Sequence, residues 1–337
     1  MHIRPLEVSA DEEFADFYAI ERDAELFDRP DAPFASAHEE RVFLLQADPF
    51  ERITAYAAFD GDRMVGAALT AFTLLDNTDK GFVQVDVAPP LRRRGIGSAL
   101  VEHLVELCRQ AERDTVLAQC WVPLEQRDSH PDALFASKNG FELANVEIRR
   151  QLELPVPMEQ LDAWSVEAAT HHRNYGLLTF VDQIPDALLP SLCEVSNQLA
   201  VDAPTGTLEF EVEGLTPEVH KIRQAILEEQ DRSVFTTLAL DPSGGRTVAF
   251  STLMVPRRQQ RVVHQWGTLV DRAHRGHRLG LAVKAANLRA VQTSYPDRRV
   301  AETTNAETNA PMVAINEKMG FAPVELLTEF QRKLIPA

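Results

Sequence analysis

The chain has 337 residues, and because domains usually hold about 100–200 residues, its length is typical of two domains. Its 45% of apolar and 25% of charged residues are typical of a globular protein, and no run of about 18 apolar residues predicts a membrane span. The net charge of −17 argues against a nucleic-acid partner, which needs a basic surface, and favours a cationic or neutral one. Three cysteines without metal-ligand spacing and an N-terminus without an apolar signal core predict a cytoplasmic protein with no metal site.

The N-terminal half of the sequence predicts alternating helices and strands. Its predicted elements are a helix at 11–26, strands at 53–59, 63–72 and 82–87, a helix at about 98–113, a strand at 115–122, and a short helix followed by a last strand. Asp60-Gly61 predicts a hairpin turn between the first two strands. Pro89 and Pro90 end the third strand because proline cannot donate a hydrogen bond to a strand ladder.

The C-terminal half repeats this plan after a segment that we interpret as a linker at 156–172, next to Pro155. Its predicted elements are helices at 185–200 and 216–231, strands at 234–240, 247–255 and 262–270, a helix starting near Leu281, and a strand at 299–304. Each half carries a basic turn and, nearly the same distance further on, a Gly-Phe pair. This internal repeat predicts two domains of one kind, at 1–155 and 173–337.

The basic turn in the N-terminal half follows a predicted strand and opens a predicted helix. Such a turn is an anion site, because free backbone N–H groups and the positive end of the helix point at one spot. Gly95 and Gly97 allow the backbone to approach a diphosphate without a Cβ clash, and the arginines from Arg92 add positive charge.

The stretch VDVAPPLRRRGIGSAL resembles motif A of the GCN5-related N-acetyltransferase (GNAT) superfamily, (Q/R)-x-x-G-x-(G/A). The resemblance implies an α/β (α+β) protein of two tandem GNAT-like acyl-CoA N-acyltransferase domains, of the mycothiol synthase-like type. Each domain would be a mixed, mostly antiparallel twisted sheet flanked by helices. The resemblance also implies acetyl-CoA as cosubstrate, with its pantetheine along the strand edge near Val85 and Val87. The implied pyrophosphate-binding residues are Arg92, Arg93, Arg94, Gly95, Ile96, Gly97 and Ser98.

The second copy of the motif departs from this pattern. Arg278 stands where the first glycine is expected, so the turn could bind a diphosphate only if it needs no positive φ at that position. The cofactor-binding residues that the resemblance implies here are Leu269, Val270, Arg275, Gly276, His277, Arg278, Leu279, Gly280, Asn305 and Asn309. Asn309 also suits a helix N-cap, and Asn305 also suits pairing with backbone.

The resemblance also implies catalytic positions. The family often places a tyrosine four residues before the Gly-Phe pair, where this chain has Ala136 and Asn316, and often a base on the central strand, where His264 stands. We therefore hypothesise that the C-terminal half catalyses, with His264 as base and Asn316 near the leaving sulfur, while the N-terminal half binds CoA. Asp86 is the competing base, on the strand face opposite to Val87.

The predicted function is direct transfer of an acetyl group from acetyl-CoA to a small-molecule amine or a peptide. One alternative is a non-catalytic acyl-CoA sensor or scaffold, and another is a different acyl-CoA-dependent transferase on the same fold. Loops at 27–36 and 201–208 are candidates for lining an acceptor site. Two copies in one chain are compatible with a pseudo-dimeric monomer or with a homodimer, without nucleic-acid or membrane partners.

Overall fold

The computed structural model describes residues 1–46, 48–259 and 261–334, which form two compact units. Unit 1 contains the chain up to Asn145 and again from Thr328 onward, and unit 2 contains Val146–Leu327. The strands are β1 (His2–Pro5), β2 (Glu51–Asp60), β3 (Arg63–Thr73), β4 (Lys80–Val87), β5 (Thr115–Val122), β6 (Glu142–Glu153), β7 (Gly176–Val181), β8 (Arg232–Leu240), β9 (Thr247–Pro256), β10 (Val262–Val270), β11 (Val300–Ala306) and β12 (Ala322–Lys333). The helices are α1 (Asp11–Glu25), α2 (Ala37–Leu45), α3 (Ile96–Gln110), α4 (Pro131–Lys138), α5 (Met158–Ala169), α6 (Leu189–Ser196), α7 (Leu199–Asp202), α8 (Pro217–Glu229), α9 (Leu279–Ser294) and α10 (Ala310–Lys318).

The sheet of unit 1 is mixed and mostly antiparallel, as predicted. Strands β1, β2, β3 and β4 pair antiparallel in that order, β5 runs parallel to β4, and the end of β12 follows β5. The hairpin between β2 and β3 turns at Gly61, whose φ of +62° explains the glycine in the predicted Asp-Gly turn.

The sheet of unit 2 repeats this topology. Strands β7, β8, β9 and β10 pair antiparallel in that order, β11 runs parallel to β10, and β6 pairs antiparallel with β11. A register shift between Gln265 and Thr268 interrupts the ladder of β10 with β9.

The compact units do not coincide with the predicted domains 1–155 and 173–337. Residues Glu147–Glu153 of β6 belong to unit 2, where they pair with β11, while the end of β12 from Thr328 belongs to unit 1. Each half of the sequence therefore contributes the end of its last strand to the other unit. A local pattern predicts that a strand exists but not which neighbour it pairs with.

The segment 156–172, predicted as a linker, holds helix α5. Leu161 and Trp164 of α5 are buried in the core of unit 2 against Leu281 and Leu288 of α9. The helix is thus part of that core.

The two faces of the unit 1 sheet carry different helices. Residues Leu100 and Leu104 of α3 pack on one face, and Phe17 and Ile20 of α1 pack on the other with Ala67 of β3. Ala67 lies opposite Asp86 in the β3–β4 ladder, so the side chain of Asp86 is on the α1 face. Because side chains alternate along a strand, Val85 and Val87 are on the α3 face, where both pack against the core.

Candidate active site

The basic turn of unit 1 lies between β4 and α3, as the sequence predicts. Arg92 holds the turn in place, because its guanidinium donates to the carbonyl oxygens of Val87 at 3.3 Å and Ala24 at 3.1 Å. Gly95, with φ +85°, is the residue before α3, and no side chain caps the first amides of that helix. These uncapped amides can donate hydrogen bonds to an anion, and the positive end of the helix favours its binding.

The glycines of this turn have different roles. A Cβ on Gly95 would meet no described atom within 4 Å, so glycine suits this position because of its positive φ. A Cβ on Gly97 would lie 3.0 Å from Cζ of Phe135 in α4, so its glycine serves close packing at the start of α3.

Strands β4 and β5 separate next to this turn. Their parallel pairing covers only Lys80–Phe82 and Thr115–Leu117, although both strands continue for several residues. Beyond the paired residues, β4 can offer backbone groups to an extended ligand.

A cleft of about 860 Å³ opens at this separation. It collects eight of the nine predicted cofactor-binding residues of unit 1, and the exposed Arg94 is not among its lining residues. The eight are Val85, Val87, Arg92, Arg93, Gly95, Ile96, Gly97 and Ser98. The cleft also extends along α1 and the following loop to Phe34 and Ala35, within the predicted acceptor loop 27–36.

The α1 side of the cleft is acidic. Asp86 lines it, and Gln84 donates to Asp86 Oδ2 at 2.9 Å. Desolvation raises the pKa of Asp86 to about 7, helped by the nearby negative charges of Glu25 and Asp132. A carboxylate with this pKa can take up a proton near neutral pH.

Sequence reasoning missed Glu21 of α1. It lines the same cleft, is 3% exposed, and its Oε2 has no hydrogen-bond partner among the described residues. Burial raises its pKa well above the usual range, and Glu40, Asp86 and Glu25 reinforce the shift. The sequence predicts Glu21 only as a polar residue of an amphipathic helix, and no local pattern predicts its burial.

The turn of unit 2 keeps the same backbone course. Arg275 donates to the carbonyl oxygen of Val270 at 3.2 Å, as Arg92 does to Val87, and it also pairs with Asp202. Arg278 precedes α9 with φ +53°, so this position does need a positive φ and an arginine adopts it. The condition stated for diphosphate binding, that the turn needs no positive φ at 278, is therefore not met.

The surroundings of this second turn differ from those of unit 1. Glu167 of α5 pairs with Arg278 and, at 2.8 Å, with Lys318 of α10, so the cations at the turn are partly neutralised. His277 lies 3.2 Å from the carbonyl oxygen of His171 through Nδ1. Gly280 is buried, and a Cβ there would lie 3.0 Å from Cδ1 of Ile315.

The remaining predicted cofactor-binding residues of unit 2 lie in several environments. Leu279 is buried, and Leu269 packs on the cluster that includes α6. Asn309 caps α10, because its side chain accepts a hydrogen bond from the amide of Met312 at 3.4 Å. This is the N-cap role that the sequence also suggested for it.

A buried polar network lies under α9 and α10. Lys284, 1% exposed, donates to Asn316 Oδ1 at 2.9 Å, and Asn316 donates to Asn305 Oδ1 at 3.0 Å. Arg150 of β6 donates to the same Asn305 oxygen at 3.2 Å. Burial lowers the pKa of Lys284 to about 7.

These residues correspond to lining positions of the unit 1 cleft. Lys284 follows Gly280 by one helical turn as Val101 follows Gly97, and Asn316 precedes its Gly-Phe pair as Ala136 does. Val101 and Ala136 line the cleft of unit 1. In unit 2, the longer polar side chains of Lys284 and Asn316 are hydrogen-bonded to each other.

The predicted catalytic pair His264 and Asn316 is divided between the two faces of the unit 2 sheet. His264 Nδ1 lies 2.9 Å from Glu302 Oε1, its neighbour across the parallel ladder, and Arg149 also binds Glu302. Asn305, three residues after Glu302 in β11, points to the other face and holds Asn316 there. The structure does not bring the two side chains into contact.

The described chain shows neither a metal cluster nor a membrane helix. Its His, Cys, Asp and Glu side chains form no group of three or more suited to a metal ion. Among the described helices, none has both the length and the apolar character for crossing a bilayer.

A mixed sheet whose central parallel strands separate beside an amide-rich turn defines an acyl-CoA N-acyltransferase fold, present here twice. Residues 14–134 match the model of the acetyltransferase (GNAT) family, and the predicted resemblance to that family is confirmed.

A curated relative and two solved structures agree with this assignment. The mycothiol acetyltransferase of Rothia mucilaginosa (strain DY-18) is 27% identical over 164 residues, which are 47% of this chain and 46% of that protein. The aligned part thus spans about half the length of that relative. A tandem GNAT protein from the clavulanic acid biosynthesis pathway superposes with a TM-score of 0.77 at 24% identity, covering 100% of this chain and 99% of its own. A GCN5-related N-acetyltransferase from Sphaerobacter thermophilus gives a TM-score of 0.64 at 16% identity, covering 100% and 96%. These structures show the tandem GNAT fold over the whole chain.

Proposed function

We propose that the protein transfers the acetyl group of acetyl-CoA to an amine, and that unit 1 carries the reaction. One observation carries the proposal: a single cleft of about 860 Å³ joins the amide-rich turn, the free edge of β4 and the carboxyl group of Asp86. Cavities of about 300–1,000 Å³ are typical of small-molecule sites.

The end of the cleft beside the basic turn suits the phosphate groups of a CoA thioester. The uncapped amides at the start of α3 suit the pyrophosphate. Arg93, exposed beside these amides, adds positive charge. The pantetheine would lie along β4 where β5 has moved away, with the thioester beside Val85 and Val87.

Asp86 is the proposed base. Its carboxylate removes a proton from the acceptor ammonium, and the neutral amine attacks the thioester carbonyl. The attacking nitrogen then loses its second proton, and the tetrahedral intermediate expels CoA as the thiolate. The thiolate takes up that proton, which leaves an amide and free CoA. His264 and Asn316 remain the competing assignment, in unit 2. It is less favoured because these side chains lie on opposite faces and Asn316 is bonded to Lys284.

Steady-state CoA release with acetyl-CoA and a panel of amines tests the proposal. Because Asp86 acts only when deprotonated, kcat/KM should rise with pH and level off above a pKa of about 7. Asp86→Asn should lower kcat by about 100- to 10,000-fold and remove this limb of the pH profile.

Two results would overturn this reading. Loss of turnover in His264→Gln but not in Asp86→Asn would move the reaction to unit 2. Thermal stabilisation by acetyl-CoA without turnover of any amine would favour the non-catalytic sensor instead.

A further inference from the structure

The acceptor side of the unit 1 cleft contains a buried carboxyl group for which the proposed reaction has no use. Glu21 is 3% exposed, lines the cleft, and has an Oε2 atom without a partner among the described residues. Buried carboxyl groups in proteins are nearly always paired or hydrogen-bonded. An unpaired one at the wall of a cleft therefore indicates that its partner arrives with a ligand.

The charges around Glu21 specify the sign of that partner. Glu25 on α1, Glu40 on α2 and Asp86 on β4 are all near enough to disfavour its ionisation. The cations on this side are committed elsewhere, because Arg29 pairs with Glu25 and Arg92 donates to two carbonyl oxygens. The acceptor side thus holds more carboxyl groups than cations, which suits a positively charged group.

Glu21 and Asp86 also lie in one space. Helix α1 packs over the face of β4 that carries Asp86, and both carboxyl groups line the same cleft. Asp86 is on the strand that lines the proposed thioester position, whereas Glu21 is on the helix above it. A ligand with one amine at Asp86 can therefore place another cationic group at Glu21.

We propose that the acceptor is an amine with a second cationic centre, such as an aliphatic diamine, whose reacting nitrogen meets Asp86 while its second ammonium pairs with Glu21. This assignment rests on the proposed function of unit 1 and narrows its substrate class. The second ammonium supplies the missing hydrogen-bond partner of Glu21. The two groups then form a charge-assisted hydrogen bond in a partly dry site.

Paired substrates test the proposal in the CoA-release assay. Diaminobutane and diaminohexane should exceed butylamine and hexylamine in kcat/KM by about 10- to 100-fold, the effect of one charge-assisted hydrogen bond. Glu21→Gln should reduce this ratio to near one. Asp16→Asn removes an exposed charge from the same helix, outside the cleft, and should keep the ratio.

Calorimetry of the unmodified protein with CoA gives a readout that needs no variant. Diaminohexane should bind with release of a proton, because burial keeps Glu21 protonated until a cation arrives. The release is measured by repeating the titration in buffers of different ionisation enthalpy. Hexylamine, which meets only Asp86, should release fewer protons than diaminohexane.

The outcomes separate the two proposals. Equal turnover of diamines and monoamines, or diamine binding that releases no more protons than hexylamine binding, would overturn the second cationic site and leave the acetyltransferase proposal standing. Absence of CoA release with every amine would overturn both. A ratio that falls equally in Glu21→Gln and Asp16→Asn would assign the preference to general charge and contradict the role of Glu21.

Discussion

The substitution Gly97→Ala tests whether unit 1 holds the CoA diphosphate. The added methyl group would lie 3.0 Å from Cζ and 3.2 Å from Cε2 of Phe135, so the ring must move by a few tenths of an ångström. The exchange also gains about 1 kcal/mol of helix propensity, which offsets a packing cost of similar size. We therefore expect little change in stability and a direct effect on the cleft.

The binding effect follows from the backbone amides at the start of α3. The methyl group displaces the ring of Phe135, which lines the same cleft, and the displaced ring disturbs the approach of a diphosphate to these amides. Loss of one hydrogen bond to a charged group costs about 1.5–3 kcal/mol, so the Kd for CoA should rise by about 10- to 100-fold. Isothermal titration calorimetry with CoA measures this change.

The chain supplies a matched control in Gly280→Ala. A Cβ there would lie 3.0 Å from Cδ1 of Ile315 and 3.8 Å from Cγ2 of Val270, so the packing disturbance is similar. We expect it to leave the Kd for CoA within about twofold. Weaker binding in Gly280→Ala with none in Gly97→Ala would place CoA in unit 2. An unchanged Kd in both variants would refute the role of the amides.

Two further predictions concern unit 2. The pKa of Lys284 is about 7 when folded and 10.5 when unfolded, so between these values the unfolded state binds one more proton and stability rises with pH. From about pH 7 to about pH 9, Lys284 should add roughly 2 kcal/mol that Lys284→Met lacks, as urea unfolding of both proteins would show. A parallel pH dependence of the two proteins would contradict the buried, neutral lysine. Leu161→Ala should lower the free energy of unfolding by about 2–5 kcal/mol, whereas Val166→Ala, at an exposed site on the same helix, should change it by under about 0.5 kcal/mol. Equal denaturation midpoints for these two variants would show that α5 is a dispensable linker.

The turn that we propose as the anion site was predictable because its signals are local. Pro89 ends a strand, Arg92 begins a basic run, and Gly95 adopts the positive φ that makes glycine the favoured residue. The same holds for the Asp-Gly hairpin at Gly61. In each case a few neighbouring residues are enough to predict the turn, although the bond from Arg92 to Ala24 also holds the basic turn in place.

The acidic wall and the exchanged strands were not predictable, because they depend on distant partners. Glu21 occurs in a helix rich in charged residues, and only the packing of α1 over β4 buries it. The end of β6 and the end of β12 have ordinary strand sequences, and their pairing across the two halves leaves no local trace. Helix α5 was missed because Pro155 suggested a boundary, while the helix itself starts after Pro157.

The two halves differ in the space behind the turn more than in the turn itself. Each turn has two residues with positive φ, Arg93 and Gly95 in unit 1, Gly276 and Arg278 in unit 2. Glycine and arginine have exchanged places, and an arginine in this conformation costs about 1–2 kcal/mol in either unit, so the missing glycine at 278 does not by itself abolish the turn.

Behind the turn, the apolar side chains of Val101 and Ala136 line the cleft of unit 1, whereas the corresponding positions of unit 2 hold a buried lysine that is hydrogen-bonded to an asparagine. A buried, bonded lysine would have to be displaced or left unpaired by an entering thioester, at a cost that binding must overcome. Under the proposed function, the residues behind the turn, rather than the missing glycine at 278, therefore decide which half accepts acetyl-CoA.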